Sequence, residues 1–194
     1  MKKKVILICA LVVSLACAVG GTMAYFVAKD TAHNVITSGK VGVTIVEQTK
    51  KPNGELETFP EDGLTGIMPG MTVDKIVWIE SEDKTADCWI RAKIEVSIIG
   101  ASGEVLPSEG VVECKGMDAG WEKGNDGYYY YKNPVAPGKP TAKLMQTVTF
   151  DAGNMTNEYQ GCTANVVIHA QAVQTANNGT SYTEAKGWPA EEEA

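Results

Sequence analysis

Histidine is scarce in this 194-residue chain, which contains only His33 and His169. The sequence has no HExxH pair, no DxDxDG calcium loop, no GxxxxGK and no GxGxxG after a strand. A zinc peptidase or a Ser-His-Asp hydrolase needs histidine beside its metal or its nucleophile. The sequence therefore indicates a protein that is not an enzyme and carries no cofactor or metal, with His169 as a half-exposed residue of a sheet.

Basic residues are in the minority as well. The chain has 17 lysines and arginines against 24 aspartates and glutamates, which gives a formal net charge of -7. A nucleic-acid-binding domain needs a basic surface to contact phosphates, and an anionic membrane surface repels an acidic body. The charge balance therefore excludes nucleic acid as a partner.

Helical periodicity is also missing. Beyond the first 24 residues no stretch repeats its apolar residues with a helical period, whereas Val, Ile, Thr and the 20 glycines favour strands and turns. The clearest strand is CWIRAKIEVSII, and its core-facing set is Cys88, Ile90, Ala92, Ile94, Val96 and Ile98. Further strands are expected at 41–46, 73–79, 111–114, 144–150 and 164–173, with a hairpin at 121–132. About eight strands with frequent turns predict an all-β fold, a jelly-roll-like or Ig-like two-sheet sandwich.

Proline and glycine mark the turns between these strands. Met68-Pro69-Gly70 places proline and glycine where a type II turn needs them. Ala136-Pro137-Gly138 repeats this proline–glycine turn, and each of the two precedes an alternating strand. Gly124-Asn125-Asp126-Gly127 suits the tip of a hairpin. The acidic loop 80–87 is interpreted first as solvated charge and second as a weak cation site.

The first 24 residues have the pattern of a secretory signal peptide. Three lysines precede an apolar run from Val5 to Val19, and Thr22 and Ala24 are the small residues of a cleavage site. The mature chain is therefore expected to begin at Tyr25. Two alternatives stay open, namely an uncleaved anchor at 5–23, which is just long enough to span a bilayer, and a lipoprotein cut before Cys17.

These patterns divide the chain into four parts. A signal peptide at 1–24 is followed by a flexible N-terminal segment at 25–39, a β-sandwich at 40–175 and a polar, acidic tail at 176–194. The polar run at 25–39 has few apolar residues, and its anchors for adding to an exposed sheet edge as a donated strand are Tyr25, Phe26, Val27, Val35 and Ile36. Within the tail, Tyr182 to Lys186 is expected to form a short helix docked by Trp188.

Cysteine offers a candidate crosslink. After removal of the signal peptide, Cys88, Cys114 and Cys162 remain. Two of the three can form one disulfide outside the cell, in a pairing that the sequence does not specify. The alternative is three buried, reduced thiols that act as small apolar residues.

Four consecutive tyrosines, Tyr128 to Tyr131, are the most unusual local feature. In a strand they alternate between the two faces, so one pair lines the core and the other lies on the surface. A surface patch of Trp121, Tyr128 and Tyr130 would suit a sugar or a partner strand. Ordinary hairpin packing with the phenol groups at the rim is the alternative.

Several segments together resemble the TasA/camelysin family of exported Gram-positive proteins. The first is GTMAYFVAKDTAHNVITSGKVGVTI, with Tyr25-Phe26 just after the expected cut. IMPGMTVDKIVWIES, CWIRAKIEV and YYYYKNPVAPGKPTAKLMQTVTF fit the same group and extend the resemblance over most of the mature chain.

The resemblance implies a jelly-roll sandwich, a signal peptide read by a SipW-type signal peptidase, and a place in the extracellular biofilm matrix or at the cell surface. It also implies fibres built by strand donation, in which the freed N-terminal segment enters the sheet of the next copy or contacts other matrix proteins. Camelysins are labelled metallopeptidases, but this chain has no zinc motif, and its C-terminus has no LPxTG-like sorting signal. A glycan-binding surface module is the alternative function.

Overall fold

The computed structural model describes residues 35–37, 41–60 and 68–190, with side chains described from residue 41 onward. The expected signal peptide, its cleavage site at Thr22 and Ala24, and the donor residues Tyr25, Phe26 and Val27 lie outside these ranges. Within them, no helix has the length and apolar character needed to span a bilayer.

Eleven strands form two sheets in the described part of the chain. Sheet I has the order β1-β11-β5-β9-β8, with the short β6 also paired to β5, and sheet II has the order β3-β2-β4-β10-β7. The strands are β1 (Val35–Thr37), β2 (Val43–Lys50), β3 (Leu56–Thr58), β4 (Thr72–Ser81), β5 (Cys88–Ile99), β6 (Val105–Leu106), β7 (Val112–Lys115), β8 (Trp121–Lys123), β9 (Tyr129–Tyr131), β10 (Met145–Phe150) and β11 (Thr163–Gln174). The predicted all-β, two-sheet sandwich is confirmed.

The core lies between the sheets and follows the predicted alternation. On β5, Ile90, Ala92 and Ile98 are buried among core residues of sheet II such as Val77 and Ile79. On β11 the buried residues that face the core are Ile168, Ala170 and Ala172, with Val166 packed beside them. Burial of such apolar surface, at about 25 cal/mol per Å², is the main stabilising term of the fold.

The three predicted turns form as expected. Met71 N donates to Met68 O (3.0 Å) and Lys139 N donates to Ala136 O (3.1 Å), which closes both proline–glycine turns. Gly70 has φ +81° and Gly138 has φ +66°, the left-handed backbone that a type II turn requires of its third residue. The β8–β9 hairpin is closed by Gly124 N donating to Tyr128 O (2.7 Å).

Other local expectations need correction. Regular alternation along 144–150 would place Gln146 on the same face as Leu144 and Val148. A β-bulge between Met145 and Thr147 instead brings Met145 into the core beside Val148, and Gln146 points outward. The stretch 48–71 is rich in Lys, Pro, Gly and Glu, which predicts a loop throughout. It also holds β3, because Gln48, Thr49 and Lys50 extend β2 far enough to pair with Leu56–Thr58. Beyond Phe150, the irregular segment contains a single 3₁₀ turn at Asn157–Tyr159.

The chain after β11 crosses the outer face of sheet I. Residues 181–184 form a turn closed by Glu184 N donating to Ser181 O (3.1 Å), in place of the short helix expected at 182–186. We call residues 175–190 the C-terminal strap. It starts at Thr175, whose N donates to Asp87 O (2.9 Å), and Trp188 docks it on the sheet.

Candidate functional site

One edge of sheet I is formed by β11, with the short strand β1 beside it. Val35, Ile36 and Thr37 run parallel to β11 and lie opposite Ala170, Gln171 and Ala172. On its other side, β11 pairs with β5 over its whole length, from Thr163 to Gln174. In the described part of the chain, no strand pairs with residues 163–169 along the β1 side. We call this side of β11 the acceptor edge.

The chain is anchored immediately after the segment that follows β1. Val41 is buried, and Gly42 O accepts a hydrogen bond from Glu82 N (2.9 Å). A Cβ on Gly42 would lie 2.3 Å from the Glu82 carboxylate, so a side chain at this position would push Glu82 away. In the sequence, three residues separate β1 from this anchor, namely Ser38, Gly39 and Lys40.

A charged cluster lies on the solvent face of sheet I next to the acceptor edge. His169 Nε2 is 3.2 Å from Glu95 Oε2, and Lys93 Nζ is 3.1 Å from Glu95 Oε1. The hydrogen bond from Lys93, with a smaller contribution from His169, holds the pKa of Glu95 below its usual value. His169 is half-buried on this outer face, as predicted, and contacts a carboxylate.

The proposed aromatic surface patch is wrong for two of its three residues. Trp121 is only 4% exposed because it faces the core, where its ring lies 5.2 Å from that of Tyr131 and its Nε1 donates to Ala142 O (2.9 Å). Tyr128 is also 4% exposed. The tyrosines do alternate as predicted, since Tyr129 and Tyr131 pack on the core.

On the outer side of the hairpin, Tyr128 and Tyr130 surround an arginine. The guanidinium carbon of Arg91 lies 3.9 Å from the ring centroid of Tyr128, and Nη1 donates to Tyr130 Oη (3.1 Å). Arg91 Nε donates to Gln171 Oε1 (2.9 Å), and Nη1 lies 3.3 Å from Asp126 Oδ2. We call Arg91, Tyr128, Tyr130, Asp126 and Gln171 the Arg91 platform.

The carboxylate of Asp126 ties the hairpin tip to this platform. It accepts hydrogen bonds from Tyr130 Oη (2.6 Å) and from Tyr128 N (3.2 Å). Partial desolvation raises the pKa of Asp126, but these hydrogen bonds and the charge of Arg91 outweigh it and lower that pKa overall. Desolvation and the bond to Asp126 raise the pKa of Tyr130, so its hydroxyl stays protonated as a donor.

The C-terminal strap covers the Arg91 platform with aromatic side chains. The ring centroid of Trp188 lies 4.7 Å from the Arg91 guanidinium carbon and 5.8 Å, edge-on, from that of Tyr130. Tyr182 lies 6.2 Å from Tyr130, and its Oη donates to Glu122 Oε2 (3.0 Å). The guanidinium of Arg91 thus contacts two aromatic rings, those of Tyr128 and Trp188. The face of each ring attracts its positive charge.

One polar atom on the same face of β5 has no hydrogen-bond partner. Trp89, two residues before Arg91, is only 4% exposed, and its indole Nε1 is the sole buried side-chain N or O without a partner among the described residues. Leaving a buried donor unpaired costs about 1–3 kcal/mol.

The structure keeps Cys88, Cys114 and Cys162 as free thiols, so the candidate disulfide does not form. The Cys88 thiol instead points to Val135 O (3.6 Å) and Ser81 Oγ (3.8 Å), while Cys114 lies on β7 in the other sheet. Burial raises the pKa of Cys88, and it raises that of Cys114 to about 11. The alternative of reduced thiols packed as apolar residues fits this geometry.

The acidic loop does not assemble a metal site. Within the described ranges no group of three histidine, cysteine, aspartate or glutamate residues converges on one point. Glu80 accepts a hydrogen bond from Trp78 Nε1 (2.8 Å), and Thr85 Oγ1 donates to Glu82 O (2.9 Å). The polar groups of the loop therefore form hydrogen bonds within the loop and to Gly42 O.

Sequence reasoning missed Arg91 and Gln171 as functional candidates, because their partners lie on distant strands. Arg91 meets Gln171 only through the β5–β11 register, in which the two are directly opposite. Its position on the polar face of the clearest strand, near a tyrosine block, was the available signal. Comparison of the chain with protein families, with curated proteins and with solved structures finds no significant match.

Proposed function

We propose that this chain is an exported structural protein of the cell surface or biofilm matrix that assembles with itself by strand donation. Residues 25–39 of one copy would add to the acceptor edge of the next. The observation that carries this proposal is the parallel pairing of Val35–Thr37 with β11, because it puts part of the expected donor on a sheet edge.

The observed register specifies how a donated strand would lie. Since Val35 lies opposite Ala170, continuing the same parallel register puts residues 28–34 opposite 163–169. Residues 28–37 would then lie opposite Thr163 to Ala172, which is most of β11. Each backbone hydrogen bond gained nets only about 0.5–1.5 kcal/mol, so a long pairing is needed to offset the ordering of the donor.

The short connection after β1 supports exchange between copies. Pairing within one chain and pairing between chains use the same backbone groups of β11, so the two differ mainly in the connection and in concentration. A three-residue edge strand is weakly held, whereas the chain from Val41 onward is anchored. Residues 38–40 therefore provide a natural point at which the donor leaves its own sheet.

Export is supported by the signal-peptide pattern of residues 1–24, with Lys2–Lys4, Thr22 and Ala24. Cleavage after Ala24 by a signal peptidase of the SipW type would free Tyr25 as a new N-terminus. A tethered segment cannot thread along a neighbour, so removal of the signal peptide would license assembly. The resemblance to the TasA/camelysin family supports the same interpretation.

A glycan-binding module is the second candidate, in a revised form. Trp121 and Tyr128 are buried, so the patch first considered is not its basis. The half-buried cluster of Tyr130, Tyr182 and Trp188, with the carboxylate of Glu122 beside it, is the observation in its favour. Aromatic faces next to hydrogen-bonding groups are what sugars contact. Retention on insoluble polysaccharide tests this candidate, as zinc content after purification tests a metallopeptidase.

Assembly of a truncated mature chain tests the main proposal. The chain that begins at Tyr25 is compared with one that lacks residues 25–38, by sedimentation and electron microscopy at rising concentration. We expect fibres only from the longer chain, and the same strand content from both by circular dichroism. Ile36→Pro in the full mature chain is the matched variant, since it keeps the length and removes one backbone donor of β1. Fibres from the truncated chain would refute strand donation.

A further inference from the structure

The C-terminal strap holds its own shape through internal hydrogen bonds. Asn178 Nδ2 donates to Lys186 O (3.0 Å), and Lys186 N donates back to Asn178 Oδ1 (2.8 Å). The backbone N of Thr180 and its Oγ1 both donate to Glu184 Oε2, at 2.8 and 3.0 Å. A segment that is pre-organised in this way loses little conformational entropy when it docks.

Within the described residues, the strap contacts the face of sheet I mainly through its aromatic side chains. Trp188 covers Arg91 and Tyr130, and Tyr182 Oη donates to Glu122. Apart from these, Thr175 bonds to Asp87 O through N (2.9 Å) and Oγ1 (3.2 Å), at the point where β11 ends. The strap is therefore attached like a ligand with two aromatic anchors, in contrast to a strand paired along its backbone.

The structure shows which segment this surface accepts, because the C-terminal strap is already seated on it through Trp188 and Tyr182. The surface that it meets carries Arg91, whose guanidinium lies under Trp188. The occupant that these features fit is the strap itself.

We infer that the Arg91 platform is a docking site for the C-terminal strap as a detachable unit, and that a second copy of this chain can supply it. The linked strap competes at an effective concentration on the order of millimolar. Exchange between copies therefore takes place where copies are crowded, as on a surface. The inference does not depend on strand donation, because it uses a different face of sheet I and the other end of the chain.

A peptide of residues 175–190 tests this inference on the full mature chain. The Trp188→Ala chain, in which the linked strap has lost its main anchor, should bind the labelled peptide at least about tenfold more tightly than the wild-type chain does. The same peptide with Trp188→Ala should not bind, and Arg91→Ala added to the acceptor should abolish binding. Fluorescence anisotropy gives the affinities, and circular dichroism checks that each acceptor is folded.

If the Trp188→Ala acceptor is unfolded, the wild-type chain provides a second measurement. At millimolar peptide, the linked strap should be displaced, and the NMR signal of Arg91 Nε–H should keep its bound-state position while the linked Trp188 indole signal shifts. Failure of the peptide to bind either acceptor would show that the strap is a fixed part of the fold and overturn the inference. Binding of an oligosaccharide in place of the peptide would overturn it as well.

Discussion

Val35 lies opposite Ala170 in a parallel register, although every other strand pair in the described part of the chain is antiparallel. Parallel pairing is slightly weaker per residue, and β1 contributes only three residues. The pairing of β1 with β11 is therefore a weakly held contact of one segment with an open sheet edge. The assembly mechanism proposed above depends on this contact.

The core between the sheets should control stability. Leu144→Ala should lower the free energy of unfolding by about 2–5 kcal/mol, because Leu144 is 0% exposed and its removal leaves a cavity. Val105→Ala is the matched control, since Val105 is 76% exposed and should change stability by less than about 0.5 kcal/mol. Urea denaturation measures both, and equal losses would contradict the described packing.

Trp188 should anchor the strap. Trp188→Ala should cost about 1–2 kcal/mol through lost ring packing and the lost cation–π contact with Arg91. It should also increase the hydrogen exchange of the Lys186 amide without affecting the centre of β5. Tyr182→Phe removes only the exposed hydrogen bond to Glu122 and is the control, which should leave stability nearly unchanged. Unchanged exchange in the strap of the Trp188→Ala chain would show that the tryptophan does not hold it.

Acid should weaken the hairpin tip through Asp126. The folded-state pKa of Asp126 lies below its ordinary value of 3.8, so its contribution to stability is present above that value and is lost as the pH falls through the folded pKa. Asp126→Asn should therefore reduce stability at about pH 7, and the gap from wild type should narrow at about pH 3. A gap that stays constant over this range, measured by urea denaturation, would contradict the assigned pKa shift.

The cysteines should behave as free, slowly reacting thiols. Alkylation of unfolded, unreduced protein should modify Cys88, Cys114 and Cys162, and mass spectrometry identifies each site. In the folded protein at about pH 8 the reaction of Cys88 and Cys114 should be much slower, because burial raises both pKa values, that of Cys114 to about 11, and the thiolate is the reactive form. A pair of linked, unmodified peptides would instead identify a disulfide.

The fold was largely predictable because its longest strands carry a regular pattern. Burial on one face and water on the other impose strict alternation, and the predicted strand at 88–99 matches β5 residue for residue. The type II turns could be predicted for the same reason, since proline and glycine are required by local backbone geometry. The bulge at Met145–Thr147 could not, because it is set by the pairing of β10 with β4.

The candidate sites were less predictable, because they depend on residues that are distant in the chain. The tyrosine block indicated that its side chains alternate between two faces of the sheet. The sequence does not show that Arg91 and Trp188 cover the outer face, where Tyr128 and Tyr130 lie. In the same way, Val35 and Ile36 could be chosen as strand donors, but their partner β11 lies more than a hundred residues away. The short strands β3 and β6 were missed because two or three residues carry no readable periodicity.

A disulfide between chains tests strand donation most directly. Val35→Cys and Ala170→Cys are placed on separate mature chains, which are mixed, allowed to assemble and oxidised. Residues paired on neighbouring strands have Cα atoms within the range of about 4.4–6.8 Å that a disulfide needs. Val166→Cys replaces Ala170→Cys in the control, because Val166 lies on the same strand and face but four residues out of register.

We expect disulfide-linked dimers of the Val35→Cys and Ala170→Cys chains in the assembled fraction and none with the control. Fibres without this crosslink, or equal crosslinking at both positions, would contradict the account.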